Sequence, residues 1–261
     1  MKNDNHNDAV RSSFTMQAQG FADARLTLSN QQYIQWIIKV LPLRQDMTVV
    51  DFACGTGIMG RAIAPFVKEV IGMDITAAML AEARAHAAAD GTTNIQFREC
   101  AIESLDEMSI RCDLAITRFS LHHFVTPAVL VGKMANAVRA PGHVAIVDLL
   151  SPTDPDLAEL YNHYERLRDP SHTRALTFIE LHSAVAEAGL EVIHRDSIEV
   201  GVNVERWLRL TKTPEAVASR IVSDLVNDIS AGTPTGMVPF RNADGELMFH
   251  QKWGLVVGLK T

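Results

Sequence analysis

The stretch Val49–Ala62, VVDFACGTGIMGRA, constrains the chain more than any other. An apolar run enters a glycine-rich loop, and a helical pattern follows. Such a unit lets the backbone come close to a ligand, because glycine has no Cβ and accepts left-handed backbone. Two frames fit the same letters. Gly55, Gly57 and Gly60 have the G-x-G-x-x-G spacing of a dinucleotide site. Asp51, Ala53, Gly55 and Gly57 also read as an acid followed by small residues at every second position. The second frame suits S-adenosylmethionine, which carries an ammonium and a sulfonium and no phosphate. A carboxylate at Asp51 repels a pyrophosphate and attracts such a cation, so charge favours the second frame. Gly60 is then expected to serve helix packing.

Around this unit strands and helices alternate. Strands are expected at Thr48–Phe52, Glu69–Met73, Ile95–Arg98, Asp113–Thr117, His143–Leu149, Leu190–Val200 and Leu247–Lys260. Helices are expected near 58–66, at Ala77–Ala89 behind Thr76, at Pro127–Arg139, at Leu157–Leu167 and at Thr177–Ala188. Ile34, Ile37, Ile38 and Leu41 mark one face of an earlier helix, with Ser29 or Asn30 as its cap. The pattern predicts an α/β, Rossmann-like, seven-stranded, mostly parallel sheet. The last strand is expected to insert antiparallel beside Leu190–Val200. Residues 1–47 are expected to form a helical cap, 48–150 the cofactor-binding core, and 151–261 a lid with the closing strands. All are read as one domain.

Ligands of such sheets bind beyond the carboxyl ends of the strands. There lie Asp51–Gly57, Asp74–Ile75, Ala101–Glu103, Arg118–His123 and Asp148. Asp74, at the end of the second strand, suits the two hydroxyls of a ribose in either frame. The net charge of −7 makes nucleic acid a poor partner. Three cysteines, Cys54, Cys100 and Cys112, give neither a disulfide framework nor zinc spacing. The polar N-terminus and the lack of an ~18-residue apolar run point to a cytoplasmic protein without a membrane span. Nothing in the sequence calls for a metal.

The ordered set of motifs resembles the class I S-adenosylmethionine-dependent methyltransferases, and more narrowly the branch of the ubiquinone and menaquinone methyltransferases. It comprises FTMQAQGFAD, VVDFACGTG, GMDITAAMLAEAR, RFSLHHF, RAPGHVAIVDL, DPSHTRAL and DGELMFHQKWGLVVGLK. The resemblance spans most of the chain. It implies S-adenosyl-L-methionine as cofactor, held by Asp51, Ala53, Cys54, Gly55, Thr56, Gly57, Asp74, Ile75, Met79, Ala101, Ile102, Glu103 and Arg118. It implies a small-molecule acceptor, with quinone-like or other aromatic metabolites among the candidates, methylated on O, N or C. Two positions depart from the family pattern. Ala53 replaces a usual glycine. Ala101 replaces the usual adenine-contacting Asp, leaving the Ile102 N–H, stacking, or Glu103.

His122 and His123 are the candidate bases, against a reading as packed histidines. Phe14, Tyr161, His172 and Arg174 are the candidate substrate contacts, Arg174 through a bidentate bond to a carboxylate or phenolate. Asp148 is read only as the end of a strand. Two rival classes stay open: an S-adenosylmethionine-binding regulator or cyclase without methyl transfer, and an NAD(P)-dependent oxidoreductase. A homodimer is compatible with the sequence.

Overall fold

The computed structural model describes residues 2–22, 29–102 and 110–261. Among them eight strands form one sheet: β1 (Thr48–Phe52), β2 (Glu69–Asp74), β3 (Ile95–Glu99), β4 (Cys112–Arg118), β5 (Val138–Leu150), β6 (Glu191–Asn203), β7 (Pro239–Arg241) and β8 (Leu247–Lys260). The order is β3-β2-β1-β4-β5-β8-β6, with β7 paired to β8. β1 to β5 are parallel. β8 runs against β5, β6 and β7 alike, so it is the one reversed strand of the sheet and lies between β5 and β6.

The sheet is covered on both faces, and the side-chain alternation of a strand shows how. Val49 faces α2 (Gln31–Ile38) and α3 (Ile58–Ile63), in a core with Ile34, Ile37, Met59, Ile116 and Leu255. Val50 faces the opposite way, into a core with α5 (Pro127–Ala137) and α7 (Phe178–Glu187) through Leu130, Met134, Leu181 and Val185. A third core, with Tyr161, Trp207, Ile221, Phe249 and Trp253, belongs to α6 (Pro155–Arg168), α8 (Val204–Leu210), α9 (Glu215–Ala231) and β8. α1 (Lys2–Gln17) and α4 (Ala77–Ala89) complete the helices.

Several boundaries differ from the sequence expectation for identifiable reasons. The sheet has eight strands, not seven. β7 is three residues long and begins with a proline, too short for a period-2 pattern. The expected helix over 58–66 is α3 followed by a 3-10 turn at Ala64–Phe66, where Pro65 removes a backbone donor. β5 begins at Val138, because Val138 pairs with Cys112 across a bulge. Asn30 is the cap of α2, its side chain accepting from the Gln32 N–H at 2.9 Å.

Candidate active site

A cavity of about 310 Å³ lies at the carboxyl ends of β1, β2, β4 and β5. The core supplies Asp51, Ala53–Thr56, Asp74–Thr76, Met79 and Arg118–Ser120 to its wall. α1 supplies His6, Val10, Phe14 and Gln17, α6 supplies Arg168, α8 supplies Arg206 and Trp207, and β8 supplies Gln251 and Trp253.

The loop after β1 turns through left-handed backbone at Ala53, Gly55 and Gly57, with φ of +52°, +53° and +72°. A Cβ on Gly55 would meet nothing within 4 Å, whereas one on Gly57 would reach the Phe97 ring at 2.9 Å. Gly55 therefore borders the cavity, and Gly57 packs the loop onto β3. Gly60 is also a packing residue: an added Cβ would lie 2.9 Å from Ile95. Its N–H donates to Asp51 Oδ2 at 3.0 Å, so Asp51 caps the first turn of α3 as well as lining the cavity. Burial pushes the Asp51 carboxyl up to about 7, against the Gly60 N–H and the Arg118 guanidinium. Burial pushes Arg118 down to about 10, so it stays charged at neutral pH.

Asp74 is buried, and its oxygens accept one backbone N–H each, from Gly55 at 2.9 Å and Thr76 at 2.8 Å. Each oxygen keeps a further acceptor site, which is what two ribose hydroxyls require. Burial raises its pKa against those two N–H groups.

Phe119, just beyond β4, has φ +54°, an outlier for a bulky side chain. Its ring carries the Arg118 guanidinium at 4.6 Å and meets Trp253 edge-on at 4.6 Å. Held residues of this kind gather at functional sites.

The two histidines differ. His122 Nδ1 is hydrogen-bonded to Asp148 Oδ1, and Asp148 also accepts from the Leu149 N–H at 2.7 Å. His122 Nε2 makes no hydrogen bond among the described residues, and the side chain lines the cavity. Burial alone would push the imidazole down, but Asp148, with Glu165 and Asp169 beyond it, outweighs burial and raises it. His123 Nδ1 is engaged by the hydroxyl and carbonyl of Ser171, both at 3.1 Å. Burial and the neighbouring His122 push it well down, so it stays neutral. Asp148 is thus more than a strand end. No local sequence pattern signals this partnership, since 26 residues separate the pair.

Of the residues expected at a cofactor, Asp51, Ala53, Cys54, Gly55, Thr56, Asp74, Ile75, Met79, Ile102 and Arg118 line this cavity. Gly57 and Ala101 do not; beside Ala101 the wall is made by Cys100 and Ile102. Glu103 lies outside the described residues. Of the expected substrate contacts, Phe14 lines the cavity and meets the His123 ring edge-on at 4.9 Å. The other three do not. Tyr161 is buried against Glu165, His172 Nε2 bonds Asn162 at 2.8 Å, and Arg174 pairs with Glu180 at 2.8 Å in solvent. Arg168, Trp207 and Gln251 take their place in the wall. No set of side chains able to hold a metal occurs among the described residues.

A mostly parallel sheet with a glycine loop after one strand, a carboxylate ending the next, and a cavity over both defines an enzyme of the Rossmann-like, nucleoside-cofactor class. A family model described as a methyltransferase domain matches residues 25–195. The chain is 26% identical to the uncharacterized methyltransferase YcgJ of Bacillus subtilis, over 95% of this chain and 97% of that protein. The crystal structure of YcgJ superposes with a TM-score of 0.77 at 28% identity, covering 88% of this chain and 99% of that one. A putative methyltransferase of Bacillus halodurans superposes with a TM-score of 0.79 at 23% identity, with the same coverage. The ubiquinone biosynthesis O-methyltransferase of Leptothrix cholodnii is 30% identical over 44% of this chain and 49% of that protein. The chain belongs to the methyltransferase-domain family and is an S-adenosylmethionine-dependent methyltransferase. The dinucleotide frame read from Gly55, Gly57 and Gly60 is thereby set aside. No described helix is long and apolar enough to cross a membrane.

Proposed function

We propose that this cavity binds S-adenosylmethionine over the β1 loop and a small-molecule acceptor under the lid, and that His122 removes a proton from the acceptor's O, N or C nucleophile. One observation carries the reading: Gly55, Asp74 and His122 line the same cavity. The donor set fits the cofactor. Asp74 has acceptor sites for two hydroxyls, Asp51 faces a cation, and Arg118 is a charged donor for a carboxylate. When bound, the cofactor supplies an electrophilic methyl on a sulfonium.

The protein's own part is alignment and proton removal. Asp148 fixes the His122 ring with Nδ1 toward the carboxylate, leaving Nε2 as the acceptor atom. It also stabilises the imidazolium once the proton has arrived. Phe14, Phe119 and Trp253 give the cavity flat apolar walls that favour an aromatic acceptor. Calorimetric titration with S-adenosylhomocysteine and with NAD tests the cofactor half. Micromolar heat from the first and none from the second is expected, and the reverse would sink the reading.

A further inference from the structure

The lid wall holds a cation whose donors are only partly used. Arg168 ends α6, lines the cavity, and has a side chain 12% exposed. Its Nε donates to the Trp207 carbonyl at 3.1 Å and its Nη1 to Glu165 Oε2 at 3.0 Å. The guanidinium carbon sits 4.9 Å over the Trp207 ring. A guanidinium has five N–H donors. The other three, both on Nη2 and one on Nη1, have no acceptor among the described residues. They form the open fork that matches a carboxylate.

This side chain is held in place from behind. Glu165 is fully buried, and its Oε1 accepts from the Tyr161 hydroxyl at 3.3 Å and from Gln251 Nε2 at 3.2 Å. Gln251 Oε1 in turn accepts from Trp253 Nε1 at 2.9 Å. The network spends both Glu165 oxygens on orientation and leaves the outer edge of Arg168 unspent. Arg206, one residue before Trp207, lines the same cavity; its exposed side chain makes no ion pair or hydrogen bond among the described residues. Glu165 and Asp169 both oppose the Arg168 charge, and Arg206 supplies a second cation. Asp169 also lines the cavity, but its oxygens are engaged by Gln17 Nε2 at 3.3 Å and by Ser171 N and Oγ at 2.9 and 2.6 Å.

We propose that Arg168, assisted by Arg206, anchors a carboxylate on the methyl acceptor, whose apolar body lies against Trp207, Trp253 and Phe119. The acceptor is then an aromatic carboxylic acid. The sequence suggests Arg174 for this task, but Arg174 lies in solvent, paired with Glu180. The proposal rests on the methyltransferase reading above, with the acceptor beneath the lid.

The test uses the full chain saturated with S-adenosylhomocysteine, and saturation-transfer NMR with benzoate, benzamide and phenyl phosphate as probes. Benzoate is expected to bind at least about tenfold tighter than benzamide, a difference of about 1.4 kcal/mol. Arg168→Met abolishes that preference, Arg168→Lys keeps part of it, and Arg206→Gln weakens benzoate severalfold. S-adenosylhomocysteine affinity stays unchanged in all three variants, which also reports that they are folded. Equal binding of benzoate and benzamide, or no benzoate binding, overturns the proposal while the cofactor reading stands. Tighter phenyl phosphate overturns it in favour of a phosphoryl group. Loss of S-adenosylhomocysteine affinity in Arg168→Met would make Arg168 a cofactor residue instead. A wild-type chain that binds no S-adenosylhomocysteine would remove the cofactor reading and this proposal together.

Discussion

His122, in the turn after β4, meets Asp148 near the end of the neighbouring strand β5, and on the proposed function this pairing makes His122 rather than His123 the base. Replacing His122 by Ala is expected to lower kcat by about 10²- to 10⁴-fold, while calorimetry shows S-adenosylhomocysteine affinity unchanged. On the proposed function the neutral imidazole is the active form. Because Asp148 leaves the His122 pKa raised, activity rises with pH through a value above the usual 6.5. In Asp148→Asn the limb moves to lower pH, and a pH–rate profile of the two proteins reads the shift. Asp51 supplies a second pH test. Its folded pKa, about 7, lies above the ordinary 3.8, so between those values the folded chain holds a proton that the unfolded chain has lost. Stability therefore falls with rising pH across that window. Asp51→Asn should flatten this part of a Tm-against-pH curve, and an unchanged slope would show that Asp51 ionises normally. At this scale the sequence was half legible. Asp51, Gly55 and Asp74 follow directly from a local pattern around single strand ends. Asp148 and Arg168 were hidden because the partners that orient them, His122 and the buried Glu165 network, are brought close only by the fold.

Helices and loops show what local chemistry can dictate. α7 starts with a complete capping box: Thr177 Oγ1 accepts from the Glu180 N–H at 3.2 Å, and Glu180 Oε2 accepts from the Thr177 N–H at 2.8 Å. Thr177→Ala is expected to cost about 1 kcal/mol in urea unfolding and to leave cofactor binding alone, since Thr177 is not part of the cavity wall. Gly57→Ala attacks the other kind of element. Its φ of +72° disfavours any Cβ, and that Cβ would lie 2.9 Å from Phe97. A loss of about 1–2 kcal/mol from the left-handed backbone alone is expected, together with weaker S-adenosylhomocysteine binding as the loop is pushed off β3. A variant with wild-type stability and affinity would refute the packing role. Strand positions were legible because each buried strand is a short apolar run beside a turn signal. Ends were not, where a bulge such as that between Cys112 and Leu114 or a proline such as Pro65 resets the ladder.

A cofactor that binds only the folded state fixes a global observable. At about 100 times its Kd, S-adenosylhomocysteine should stabilise the chain by about 2.7 kcal/mol. For a chain of this size the rise in Tm is about 5–10 °C, whereas NAD at the same concentration should leave it unmoved. A Tm indifferent to S-adenosylhomocysteine would contradict cofactor binding to the native fold. The sheet order was readable in outline from the alternation of strands and helices, and the reversed position of β8 beside β6 followed the expectation. The cavity wall made by α6, α8 and β8 was not readable at side-chain level. Trp207, Gln251 and Arg168 converge only because α8, β8 and α6, far apart in sequence, meet at the end of the sheet.

The place of β8 also sets a timetable for synthesis. Residues 247–260 are translated after every other strand of this sheet, yet they fill the gap between β5 and β6. Until the ribosome has released them, β5 presents an open edge, β6 has no neighbour, and the Gln251 and Trp253 part of the cavity wall does not exist. A nascent chain stalled before residue 247 is therefore a half-built Rossmann core with a bare parallel edge. Such a chain should be a better client for chaperones, and a better target for proteases, than the finished protein.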